Sequence, residues 1–67
     1  MKFFAHRINT ISELQQVNGE YGIELDLRDY GNDVIVQHDP FVSGILFEEY
    51  IKYAKDFDMI LNIKCER

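Results

Sequence analysis

A chain of 67 residues forms at most one small domain, since a chain of this length buries only roughly 60% of its unfolded surface. Its net charge of −5 argues against a nucleic-acid partner, because domains that bind nucleic acid are normally basic. The single cysteine excludes an internal disulfide framework and favours a reducing cytoplasm, and the N-terminal apolar run is too short for a signal peptide or membrane helix. We therefore expect one cytoplasmic domain over residues 1–67, without an integral membrane segment.

The chain begins with a short strand followed by a helix. Phe3 to His6 is apolar and rich in β-forming residues, which predicts a buried strand. Thr10 and Glu13 have the spacing of a capping box, and apolar residues at helical spacing follow. These features predict an amphipathic helix over about residues 11–18.

The most informative stretch is residues 21–40, which predicts two strands. In the first, over about residues 22–28, apolar and charged residues alternate, so that one face is apolar and the other is charged. The second, Val34 to Gln37, is apolar without alternation, which is typical of a strand buried on both faces. Turn-forming residues separate the two strands, and this connection is either a hairpin or an extended return. The charged face of the first strand consists of Glu24, Asp26 and Arg28.

A second helix and a final strand complete the predicted domain. A helix is predicted over about residues 46–55 by an apolar stripe at helical spacing, which consists of Phe47, Tyr50, Ile51 and Ala54. Met59 to Ile63 predicts a strand. The order is therefore strand, helix, strand, strand, helix, strand, about four strands and two helices. This alternation indicates an α/β fold with a parallel sheet and crossover helices. The expected core includes Phe3, Phe4, Phe47 and Phe57.

Residues able to carry chemistry fall at or near the ends of the predicted strands. The carboxyl ends of parallel strands form the active-site face of (β/α) barrels. The sequence therefore predicts one site assembled from several strands. Its candidate members are His6, Glu24 with Asp26, His38, and Asn62 with Lys64.

In this arrangement the chain resembles the glycerophosphodiester phosphodiesterase family, part of the superfamily that includes phosphatidylinositol-specific phospholipase C. That family has His-Arg-Gly after its first strand, Glu-x-Asp on its second, His-Asp after its third and Glu-x-Lys on its fourth. The order of these fragments is preserved over the whole chain. The corresponding residues are His6-Arg7-Ile8, Glu24-Leu25-Asp26, His38-Asp39 and Asn62-Ile63-Lys64.

The chain also departs from the family pattern. Ile8 replaces the glycine, the segment between His6 and Glu24 is short, and Asn62 replaces the third metal carboxylate. An asparagine oxygen ligates Ca²⁺ without adding charge, so a bound metal would be held more weakly or would differ. The resemblance implies that the chain is the N-terminal half of the family's eight-stranded barrel, a partial TIM-type barrel.

The resemblance implies metal-dependent hydrolysis of a small phosphodiester of the glycerophosphodiester type. Glu24 and Asp26 would hold Ca²⁺ or Mg²⁺, with Asn62 as a possible third ligand, because their i,i+2 spacing places both carboxylates on one strand face. Since histidine titrates near neutrality, one of the two histidines would act as general base and the other as general acid. The catalytic pair would be His6 and His38, with Arg7 and Lys64 as the cations on the phosphate.

Other interpretations stay open at this point. A Glu-x-Asp pair on a strand is commonly a solvated face, and His38-Asp39-Pro40 has the chemistry of a simple turn. Cys65 would be a buried apolar residue, which makes a His6, His38 and Cys65 zinc site the weaker metal hypothesis. The alternative function is a non-catalytic binding or assembly module that retains a truncated phosphodiesterase fold, and Asn62 favours it.

Counting strands also predicts self-association. Four strands cannot close a barrel that takes eight, so the first and last strands would be open edges beside incompletely covered apolar side chains. We expect a homo-oligomer, most simply a two-fold dimer that approximates a whole barrel or continues the sheet across an interface.

Overall fold

The structure is a computed structural model, and it describes residues 3–40 and 42–64. It has the predicted mixed α/β class, with two helices and a five-stranded open sheet. The expectation for Cys65 falls outside the described residues. The elements are β1 (Phe4–Ala5), α1 (Ile11–Leu14), β2 (Gly22–Tyr30), β3 (Asp33–Val36), β4 (Ile45–Leu46), α2 (Phe47–Ala54) and β5 (Met59–Ile63).

The long strand β2 is the centre of the sheet. It pairs with β1 and β5 in parallel and with β3 in antiparallel orientation, and β4 extends β3. The connection left open by the sequence is therefore a hairpin, because the two residues Gly31 and Asn32 are too few for a crossover and Gly31 takes a φ of 65°. The prediction of a parallel sheet holds for β1, β2 and β5, and it is wrong for β3.

Two local predictions also differ from the structure. The two-residue strand β4 was missed because Ile45 and Leu46 are too short a run to be recognised, and they pair only with the end of β3. Helix α1 ends at Leu14 rather than near residue 18, since the chain continues in tighter turns in which Gln16 and Val17 bond three residues back.

The apolar face of β2 forms the core against both helices. Ile23, Leu25 and Leu27 are buried there, and Tyr50 and Ala54 of α2 cover them. Strand alternation thus places the charged residues of β2 on the opposite face, away from the helices. Two expectations about burial are wrong: Phe3 is 64% exposed because it precedes β1 at the sheet margin, and Val34 is 46% exposed near the hairpin turn.

Strand β5 is an exposed edge of the sheet. One side pairs with β2, and no strand pairs with its other side among residues 3–40 and 42–64. Ile60, Leu61 and Ile63 are 44%, 42% and 64% exposed. None of the helices in the described part of the chain is long and apolar enough to span a membrane.

Candidate active site on the charged face of β2

Two segments approach the same stretch of β2 from opposite directions. Strand β1 runs parallel to β2 and leads into His6, and the peptide N–H of Ile8 then donates to the Glu24 carbonyl at 2.8 Å. Strand β3 runs antiparallel and leads into His38, and the peptide N–H of Gln37 donates to the Asp26 carbonyl at 3.0 Å. Since β5 occupies the other edge of β2, both segments share one edge, and their attachment points are two residues apart, about 7 Å.

His6 is joined directly to the first carboxylate of this face. Its Nδ1 lies 2.7 Å from Glu24 Oε1. An ionised carboxylate only accepts, so Nδ1 carries the hydrogen and the neutral ring leaves Nε2 as an acceptor. The His6 side chain is 80% exposed, so this nitrogen is open to a substrate from solvent.

Glu24 has a pKa below its ordinary value of 4.5. The hydrogen bond from His6 is the main cause, and a hydrogen bond from the Asn62 side chain is the next. Glu24 is therefore an anion at neutral pH. The same contacts show that His6, Glu24 and Asn62, three residues chosen from the sequence, lie together.

Asp26 is the buried member of this face, with 2% of its surface exposed. Asn9 forms two hydrogen bonds with it. Asn9 Nδ2 donates to Asp26 Oδ2, and the Asp26 peptide N–H donates to Asn9 Oδ1, both at 2.9 Å. Among residues 3–40 and 42–64 no cationic side chain forms an ion pair with Asp26. A buried carboxylate with neutral partners alone is costly, and a cation at this place would lower that cost.

Asn62 comes to this face from β5. It is the direct register partner of Asp26, so both side chains lie on the same face of the sheet. Ile60 occupies the corresponding place beside Glu24. The third predicted ligand is therefore next to the two carboxylates, as the sequence pattern expected.

His38 has a carboxylate partner of its own. Its Nδ1 lies 3.0 Å from Asp39 Oδ1, so that Nε2 is again the nitrogen left for chemistry. The peptide N–H groups of His38 and Asp39 donate to the Gln37 side-chain oxygen at 3.0 and 3.1 Å. The turn after β3 is thus built by side-chain hydrogen bonds, and the His38 ring bonds Asp39 of this turn rather than Glu24 or Asp26.

The two predicted phosphate cations are not joined to the carboxylates. Arg7 is exposed and takes a left-handed φ of 53°, directly after His6. Lys64 continues the β5 ladder through its main chain, since its peptide N–H donates to the Leu27 carbonyl at 2.7 Å. Arg7 follows β1 and Lys64 follows β5, so the two residues lie at opposite edges of β2.

Sequence reasoning missed three residues that build the site. No prediction was made for Asn9, although it holds Asp26. Arg28 donates Nε to the His38 carbonyl and Nη1 to the Lys64 carbonyl, both at 2.9 Å. Tyr50 was predicted only as part of the apolar stripe of the second helix, yet its hydroxyl donates to the Ile8 carbonyl at 2.6 Å. Only Arg28 had a visible signal, because it continues the alternation of Glu24 and Asp26.

The donor set fits a hard divalent cation. Two carboxylates and one amide oxygen are ligands that Ca²⁺ and Mg²⁺ accept, with waters completing the coordination. In the described part of the chain no group of three or more His, Cys, Asp or Glu side chains is arranged to hold a metal ion. The fit therefore depends on the Asn62 oxygen as third donor.

No family model matches the chain, and no curated protein or solved structure is significantly similar to it. A function can therefore be proposed for this chain only from the geometry of the charged face of β2. The resemblance to the glycerophosphodiester phosphodiesterases stays a prediction.

Proposed function

We propose that the chain is the catalytic-strand half of a glycerophosphodiester phosphodiesterase-like barrel and takes part in metal-dependent hydrolysis of a small phosphodiester. The observation that carries this proposal is the 2.7 Å contact between His6 and Glu24 on the strand face that also bears buried Asp26. It joins a proton-transfer group to an acidic face, as hydrolysis at phosphorus requires. In the barrel, β1, β2 and β5 would be neighbouring parallel strands, and the β3–β4 hairpin would be a side extension.

His6 and His38 are the acid–base pair in this proposal. Each has a carboxylate on Nδ1, which fixes the tautomer and leaves Nε2 toward the substrate. One Nε2 takes the proton of the attacking hydroxyl or water, and the protonated form of the other gives a proton to the leaving alkoxide. Their approach to β2 from opposite directions supports a place on the two sides of one phosphate.

Glu24, Asp26 and Asn62 are the residues that would hold the cation. When bound, a hard divalent cation neutralises phosphoryl charge and lowers the pKa of a bound hydroxyl or water. Asn9 would keep the Asp26 carboxylate in one orientation for this purpose, since it bonds one of the two oxygens and leaves the other. Arg7 and Lys64 are the proposed cations on the non-bridging phosphate oxygens, from the two edges of the face.

Self-association through β5 is the proposed assembly. The unpaired edge carries no charged residue from Met59 to Ile63, in a chain whose net charge is −5. Repulsion between two copies would therefore be weakest there, and pairing would cover Leu61 and Ile63. Because the described residues of each chain form three parallel strands rather than four, a dimer that continues the sheet is favoured over a closed eight-stranded barrel.

One observation favours the alternative of a non-catalytic binding or assembly module. The third donor is the neutral Asn62, so the face has two negative charges where the family pattern has three. A phosphodiester or a metal would then be bound without turnover. Activity distinguishes this module from the enzyme.

The test is hydrolysis of glycerophosphodiesters and of a generic chromogenic phosphodiester by the purified chain, with Ca²⁺ or Mg²⁺ present. His6→Ala and His38→Ala should each lower the rate at least ~100-fold if these residues do general acid–base work. Glu48→Gln is the matched control, because Glu48 is exposed on α2, which covers the opposite face of the sheet. Activity that survives both histidine changes would overturn the proposal, and folded protein without activity would favour the binding module.

A further inference from the structure

We propose that Arg28 is a positioning residue for His38. Its guanidinium binds the main-chain carbonyl of His38 and also connects the ends of β3 and β5 across β2. The consequence for catalysis rests on the proposed function. The positioning itself rests on hydrogen bonds that can be tested without any activity.

The guanidinium of Arg28 bridges two carbonyls from opposite edges of β2. Its Nε donates to the His38 carbonyl and its Nη1 donates to the Lys64 carbonyl, both at 2.9 Å. A planar group with several N–H donors in a fixed fork makes such a bridge, whereas a lysine ammonium is a single point donor on a flexible chain. Arg28 is half-buried on the same face as Asp26, so the bridge lies beside the carboxylates.

The other contacts of His38 come from its own turn. Its peptide N–H donates to the Gln37 side chain, and its ring bonds Asp39, whose side chain is 68% exposed. Gln37 is in turn held by donating Nε2 to the Ser43 carbonyl at 3.0 Å. Arg28 is thus the side chain that ties His38 itself to the central strand.

Removal of this bridge should affect the two histidines differently. His6 depends on Glu24, two positions before Asp26, whereas His38 depends on Arg28, two positions after it. A proton-transfer group has to be held within a fraction of an ångström of its productive place. Loss of Arg28 should therefore release His38 and leave His6 in place.

The experiment is nuclear magnetic resonance of the imidazole nitrogens in metal-free protein, which is clean because the chain has two histidines. In wild-type protein the ¹⁵N shifts of His38 should show the Nδ1–H tautomer that Asp39 selects. In Arg28→Gln and Arg28→Lys the main chain of His38 loses its tie to β2, so the imidazole shifts of His38 should change, while those of His6 stay unchanged. Lys55→Gln, which removes a positive charge from an exposed position, should alter neither histidine.

Unchanged His38 shifts in folded Arg28 variants would overturn the proposal, and so would equal changes at both histidines. A measurement on wild-type protein covers the case in which the variants do not fold: the Arg28 Nε hydrogen should exchange slowly and show a through-bond coupling to the His38 carbonyl carbon. Exchange as fast as in free arginine would equally overturn it.

Where the chain is active, Arg28→Gln should lower the rate in wild-type protein but add no loss to His38→Ala. Absence of activity in every form would count against the proposed function alone, because the resonance comparison does not depend on turnover.

Discussion

Asn9 and Asp26 hold each other through two hydrogen bonds although 16 residues separate them in the chain. The Asn9 amide nitrogen donates to the carboxylate, and the Asn9 oxygen accepts from the Asp26 peptide N–H. Asn9 therefore takes the place of a strand partner in the gap where neither β1 nor β3 pairs with β2. One neutral side chain closes the sheet edge and fixes a buried charge.

Asn9→Ala should be one of the more destabilising polar substitutions in the chain. It leaves the Asp26 carboxylate buried without its donor, and loss of a hydrogen bond to a charged group costs about 1.5–3 kcal/mol. Urea denaturation measures the loss. Asn18→Ala is the control, because Asn18 also accepts from a peptide N–H, that of Glu20, but in an exposed turn. Equal losses in the two variants would contradict the assigned role of Asn9.

Glu24 predicts a pH dependence of stability. The His6 and Asn62 contacts lower its folded-state pKa, so its stabilising contribution is present above the ordinary value of 4.5 and is lost as the pH falls through the folded-state value. The difference in unfolding free energy between wild type and Glu24→Gln should therefore shrink on acidification. In a His6→Ala background that pH-dependent difference should be smaller, since His6 is the main cause. An identical pH dependence in both backgrounds would contradict the pairing.

Tyr50 should matter through its hydroxyl as well as its ring. Burial, and after it the Glu13 charge, raises the pKa of Tyr50 to about 12, and the hydroxyl donates to the Ile8 carbonyl. The contribution of this hydroxyl to the free energy of unfolding is complete below pH 10.0. It is lost as the pH rises through the folded-state pKa of Tyr50, because ionisation removes the hydrogen-bond donor. Tyr50→Phe should cost about 1–2 kcal/mol at neutral pH. Tyr53→Phe, at a position 59% exposed, should cost little, and equal costs for the two would contradict this contact.

The edge strand predicts the oligomeric state. Light scattering at tens of micromolar should give about twice the mass of one chain, because β5 offers unpaired backbone groups and exposed apolar side chains. Ile63→Lys should give a folded monomer by placing a charge at this edge. Val42→Lys, a change at a similarly exposed apolar residue outside the strands, should leave the dimer intact. A monomeric wild-type chain would refute the assembly.

The sequence predicted the local elements well where a pattern repeats over several residues. The alternation in β2 correctly separated its apolar and charged faces, and the stripe of α2 correctly placed Tyr50 and Ala54 in the core. The predicted bounds of β5, Met59–Ile63, are those of the structure. In β2 and α2 the pattern repeats often enough to distinguish the buried side from the exposed side, whereas β5 was recognised as a short apolar run.

Features that depend on contacts between distant residues were not predictable in this way. The bond from Arg28 to the Lys64 carbonyl spans 36 residues, and no local pattern encodes it. Phe3 was expected in the core because of its residue type, but its place before a two-residue strand leaves it exposed. For the site, the sequence placed His6, Glu24 and Asn62 correctly near each other, whereas the supporting roles of Asn9 and Arg28 needed the tertiary structure.

Calorimetric titration with Ca²⁺ and with Mg²⁺ tests the central claim most directly, since the proposed hydrolysis depends on a cation at Glu24, Asp26 and Asn62. Wild-type protein should bind one ion and gain stability on binding, by about 2.7 kcal/mol at an ion concentration 100 times the dissociation constant. Glu24→Gln and Asp26→Asn, which keep the side-chain shapes and remove the charges, should abolish the binding heat, while Glu48→Gln should retain it. Equal heats in wild type and in both carboxylate variants, or no heat with either ion, would contradict a metal site on the charged face of β2.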